Sequence, residues 1–108
     1  MELQQISKIL YDSSREIVTE AHALKELARA KAEAERKYRT ALMRQIMVLK
    51  KQGLPATLIN DLARGHAADL KYERDLSDEQ YKASRDVIRA LESQLSCLQS
   101  LLRVQKEI

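Results

Sequence analysis

Both glycines and the only proline of this 108-residue chain fall within one stretch, GLPATLINDLARG, residues 53 to 65. A helix interior loses about 1 kcal/mol to glycine and about 3 kcal/mol to proline, so their confinement leaves two long segments free to be helix and one place for the chain to reverse. Gly53 suits a helix end, where a left-handed residue closes the last carbonyls, and Pro55 suits a first helical turn, where the missing N–H costs nothing. The pattern predicts an all-α, coiled-coil-like antiparallel helical hairpin, with helices over about 2–52 and 66–106 and a short connecting helix over about 56–64. In the short helix Leu58, Ile59 and Leu62 are expected to plug the closed end, with Asn60, Asp61 and Arg64 in water. Residues 1–108 read as a single domain.

In the first long segment, apolar residues recur at helical spacing: Leu3, Ile6, Leu10, Ile17, Ala21, Leu24, Ala28, Ala34, Tyr38, Leu42, Ile46 and Leu49. In the second, Ile88, Leu91, Leu95, Leu98 and Leu102 alternate three and four apart, which is a heptad seam. Beside it runs another apolar stripe, Val87, Ala90, Cys97, Leu101, Val104 and Ile108. One antiparallel helix covers only one of the two, and a lone hairpin encloses little core. The expectation is therefore an oligomeric bundle whose interface includes Val87, Ile88, Leu91, Leu95, Cys97, Leu98, Leu101, Leu102 and Val104. The alternative is a monomer in which Leu3 to Ile17 lies across both stripes. Toward the turn the seam register falls on Ser84, Tyr81, Ser77 and Arg74. We expect packing to shift there onto Tyr72, Leu76 and Ala83; the other reading is a buried polar pocket.

Charged residues are 32% of the chain and aromatics 4%, the balance of long helices, and the net charge of +3 is too small to imply a polyanionic partner. Basic residues nonetheless gather at Arg29, Lys31, Arg36, Lys37, Arg39, Arg44, Lys50 and Lys51, and acidic ones at Asp61, Asp69, Glu73, Asp75, Asp78 and Glu79. A hairpin sets these stretches side by side, so the basic run is expected to be matched internally. No apolar run approaches the ~20 residues of a membrane span and no signal-peptide pattern opens the chain. A single cysteine forms no intrachain disulfide, so a cytoplasmic location without a membrane partner is expected.

Sites for chemistry are sparse. His22 with Glu26 and His66 with Asp69 stand one turn apart, too few ligands for a metal, and Cys97 on an apolar stripe reads as packing. Two isolated glycines form no phosphate-binding loop, and no cofactor is expected. A helix start near Ala56 or His66, with Arg64 close by, offers at most a weak anion site. Tyr38, Tyr72 and Tyr81 with Arg39, Arg64, Arg74 and Arg85 form a set that could grip a nucleotide by stacking and charge. Packing of these tyrosines in the seam is the simpler reading.

The stretches AEAERKYRTAL and GLPATLINDLARG and the tail YERDLSDEQYKASRDVIRALESQLSCLQSLLR resemble small helical proteins from the early regions of temperate phages and prophages of Gram-positive bacteria. Genes for such proteins often lie near those for single-strand annealing recombinases and single-strand DNA-binding proteins. The resemblance brings no catalytic residue. It implies an accessory protein made during phage replication and acting in the host cytoplasm. With the residue patterns above, the first reading is a non-enzymatic, self-associating hairpin that binds a host or phage partner, such as DNA recombination or replication machinery, through the basic face from Arg29 to Lys51. The alternative is an anti-defence protein that inhibits an immune effector or sequesters a nucleotide signal between subunits.

Overall fold

The computed structural model describes residues 2–107. Three α-helices make up the described residues, with no strand among them: α1 (Leu3–Lys51), α2 (Ala56–His66) and α3 (Ala68–Glu107). The all-α helical hairpin expected from the sequence is the observed architecture.

Helix α1 ends where Gly53 takes a left-handed conformation, φ 75°. The Gly53 N–H donates to the Lys50 carbonyl at 3.1 Å and the Leu54 N–H to the Leu49 carbonyl at 3.4 Å, the paired bonds of a Schellman motif. Lys50 and Lys51 occupy the last turn, beside the negative end of the helix dipole. Leu54 then packs on a cluster of Leu49, Ile59 and Ala63, joined by Leu42 and Ile46. Pro55 stands just before α2, and its carbonyl accepts from Leu58 and Ile59.

Two features of the turn differ from expectation. Helix α2 runs through Gly65 to His66, and the break comes at Ala67, φ −99° and ψ 10°. An L-residue tolerates that conformation, and Ala67 is buried, so a small side chain rather than a glycine makes the corner. Leu58 and Leu62 are 49% and 41% exposed, and the plug consists of Ile59 and Ala63, one turn apart. Ile59 and Ala63 pack with Leu49 of α1, and at 100° per residue that phase leaves the two leucines turned toward solvent.

The chain forms two units, one of residues 27–81 and one of 1–26 with 82–108. In the first, the inward side of α1 is Leu27, Lys31, Ala34, Tyr38, Ala41, Gln45 and Leu49, and that of α3 is Leu70, Arg74, Ser77 and Tyr81. In the second, α1 turns in Ile6, Leu10, Ser13, Ile17, Glu20 and Leu24, and α3 turns in Ser84, Ile88, Leu91, Leu95, Leu98, Leu102 and Gln105. The α3 spacing alternates three and four within each unit, so no register shift occurs. Tyr72 is 64% and Leu76 39% exposed, and Ala83 is also exposed. A shift would break the three and four alternation, whereas a polar seam residue such as Arg74 is tolerated where partners satisfy it. Likewise Leu3, Ala21 and Ala28 of the expected α1 stripe are exposed, and Ser13, Glu20, Leu27 and Lys31 hold the inward places.

Candidate functional site

In the 27–81 unit the polar seam residues meet as two crossed clamps. Lys31 Nζ lies 3.1 Å from Asp78 Oδ1 and 4.9 Å from the centre of the Tyr81 ring. Arg74 Nε lies 3.6 Å from Glu35 Oε2, and its guanidinium carbon stands 4.4 Å above the Tyr38 ring. Each cation thus faces a carboxylate and a tyrosine of the opposite helix. Moving four residues forward on α1, from Lys31 to Glu35, moves four back on α3, from Asp78 to Arg74, which is antiparallel pairing.

The two helices carry the same pattern. Lys31, Glu35 and Tyr38 have the spacing of Arg74, Asp78 and Tyr81: cation, then acid four on, then tyrosine three on. Leu27 and Leu70 stand four before the cations, and Ala34 and Ser77 are the small residues between cation and tyrosine. Such a motif is self-complementary when one copy is reversed against the other.

A cleft of about 650 Å³ opens over these residues, its rim left low by Ala28 and Ala32. Asp75 joins it by accepting two hydrogen bonds from Arg74, at 3.1 and 3.0 Å. Those bonds, and more weakly the charges of Asp75 and Glu35 and the Tyr38 phenol, raise the Arg74 pKa above its ordinary value. Arg74 is thereby a fixed cation with no role in proton transfer. Two cations against three carboxylates make the cleft net acidic, so an anionic nucleotide would have to displace existing partners.

Of the nucleotide-gripping set, Tyr38, Arg74 and Tyr81 are brought together. Arg39 reaches the cluster only from outside, donating to Glu35 at 2.6 Å with its side chain 77% exposed. Tyr72 and Arg64 are exposed, and Arg85 is half-buried on α3 in the other unit. Sequence reading missed Lys31, Glu35 and Asp78, although the repeated cation, acid and tyrosine spacing was the signal for them. Among the described residues no three His, Cys, Asp or Glu side chains converge on a metal position.

The nine residues assigned to an oligomer interface divide in two. Leu98 is buried and Ile88, Leu91, Leu95 and Leu102 are half-buried within their own chain, so these five belong to the internal seam. Val87, Cys97, Leu101 and Val104 are exposed, and Leu3 to Ile17 does not cover them. Ile108 lies outside the described residues.

The expected internal matching of the basic run is met in small part: among the described residues Lys31 is the one of the eight seen to pair with an acidic residue of the 60–79 stretch. Arg36 and Arg39 pair along α1 with Glu33 and Glu35. Arg29, Lys37, Arg44, Lys50 and Lys51 make no ion pair among the described residues. The helical phase that turns Tyr38 and Leu49 inward turns these five to solvent, out of reach of α3.

No family model, curated protein or solved structure matches this chain.

Proposed function

We propose that this chain is a non-enzymatic binding protein, a helical hairpin that self-associates through the distal half of α3. The uncovered stripe there carries the reading: Val87, Leu101 and Val104 are 44%, 47% and 54% exposed on a helix whose other apolar face already meets its own chain. With Ala90, Gln94 and Cys97 between them, these residues keep a three and four alternation, which makes a second coiled-coil seam. Apolar heptads left in water are favoured to pair with a copy of themselves, because burying each large side chain contributes about 1.5 kcal/mol or more. A protein that works by such association also suits the accessory role in phage replication or recombination that the sequence resemblance implies.

Light scattering tests the proposal. The chain at micromolar concentration should be a dimer or larger, and Leu101→Asp with Val104→Asp should make it monomeric while its helical circular dichroism persists. A wild-type monomer defeats the proposal.

A further inference from the structure

We infer that the outer face of α1 over residues 36–51 is a docking surface for the phosphate backbone of nucleic acid, recognised without regard to base sequence. The inference rests on reading the chain as a binding protein but not on its self-association. Those sixteen residues hold six cations, Arg36, Lys37, Arg39, Arg44, Lys50 and Lys51, and no Asp or Glu, while the rest of the chain is net acidic. The charge that vanishes in the whole-chain balance is thus concentrated on one surface. All six are exposed, and Lys37, Arg44, Lys50 and Lys51 have no ion-pair partner among the described residues.

Their placement follows from helical phase. At 100° per residue, Arg36, Met43 and Met47 form a line opposite the buried Tyr38 and Leu49. Arg39 and Lys50 flank that line on one side, and Lys37, Arg44 and Lys51 on the other. The face spans ~24 Å of helix, about seven nucleotide steps of one strand of duplex.

An anionic bilayer fits less well. Docking on lipid needs a broad apolar stripe that sinks below the headgroups. Here the apolar centre is two methionines, 61% and 55% exposed, with Arg36 and Thr40 continuing the line, and the only other exposed large apolar side chain of the segment, Val48, lies outside it beyond Arg44 and Lys51. An acidic partner helix meets the same objection, since its apolar side would find only two thioethers and, beyond the second cation row, Val48.

Fluorescence anisotropy with a labelled random-sequence duplex provides the test, with phosphatidylserine vesicles and polyglutamate as parallel probes. Four unpaired cations on four phosphates give a log–log salt slope of about −3.6, a loss on the order of 10²-fold between about 50 and about 200 mM salt. The variant Lys37→Gln, Arg44→Gln, Lys50→Gln, Lys51→Gln should keep its helical spectrum and lose duplex affinity at least ~10-fold at low salt, while Lys50→Arg with Lys51→Arg should retain it. The inference is overturned if the Gln variant binds like wild type, if the salt response is flat, or if vesicles or polyglutamate bind and the duplex does not. Light scattering on the same samples separates the two readings: a chain that associates but ignores duplex sinks only this inference, and a monomer that binds duplex sinks only the other.

Discussion

Truncating Arg74 should reveal how much the crossed clamps contribute to stability. The guanidinium lies 4.4 Å over the buried Tyr38, a geometry contributing about 1 kcal/mol when partly desolvated. Its ion pair with Glu35 at 3.6 Å involves side chains 26% and 36% exposed and adds about 0.5 kcal/mol. Arg74→Ala also deletes two seam methylenes; at about 0.8 kcal/mol each when fully buried, discounted for exposure, they add about 1 kcal/mol. The sum, about 2.5 kcal/mol, should lower the urea midpoint by roughly 1.5 M for a denaturant dependence of about 1.5 kcal/mol per molar. Arg74→Met keeps the aliphatic stem and gives up the ring contact and the ion pair, and should lose about 1.5 kcal/mol, with Glu35 still paired to Arg39. Both are measured by circular dichroism at one fixed protein concentration, because association would otherwise shift the midpoint. The reasoning fails if Arg74→Ala moves the midpoint by less than roughly 0.5 M, or if Met is as damaging as Ala.

The two glycines should respond in opposite directions to alanine. Gly53 has a positive φ with open space around its Cβ position, so Gly53→Ala meets backbone strain alone and should destabilise by about 1 kcal/mol. Gly65 is helical with equally open space, so Gly65→Ala should stabilise by roughly 0.5 to 1 kcal/mol; thermal melts with the same sign for both would refute the assigned conformations. Glu33 accepts a hydrogen bond from Arg36, which lowers its pKa below the ordinary carboxylate value. A depressed folded-state pKa contributes stability above the ordinary value and loses it as pH falls through the lowered one. Its NMR titration midpoint should sit low and return toward the ordinary value in Arg36→Gln; an unmoved midpoint contradicts the pairing.

The hairpin was legible because its determinants are local. Gly53 is needed for a left-handed helix end whatever surrounds it, and the heptad of Ile88, Leu91, Leu95, Leu98 and Leu102 needs only its own spacing to be recognised. The second corner was not legible, since nothing in Ala67 itself marks a break; the bend exists because Ile59 and Ala63 dock against Leu49. The polar seam was hidden for a related reason. Taken singly, Arg74 and Lys31 look like solvent-facing residues, and each becomes acceptable inside only with a carboxylate and a tyrosine supplied from the opposite helix. Their partners lie more than thirty residues away in sequence, as in Lys31 with Asp78. The internal matching of basic and acidic stretches went little beyond Lys31 with Asp78 because charge counts ignore helical phase: α3 is near α1, but Arg44 and Lys51 point away from it.

The repeated cation, acid and tyrosine spacing specifies direction as well as register. If the two copies lay parallel and aligned, Lys31 would stand level with Arg74 and Glu35 with Asp78, setting like charges together. Only reversal brings each cation to an acid, and then both clamps close at once. A slip by one residue would rotate every seam side chain away from its place, and a slip by one heptad would leave both cations without their carboxylates. Apolar seams discriminate poorly between such slips, because one leucine resembles another a heptad along. A hairpin whose alignment is fixed by its own interior has no need of the outer surfaces of α1 and α3 for that purpose. The exposed basic face of one helix and the exposed apolar stripe of the other are therefore free for the phosphate docking and the self-association proposed above.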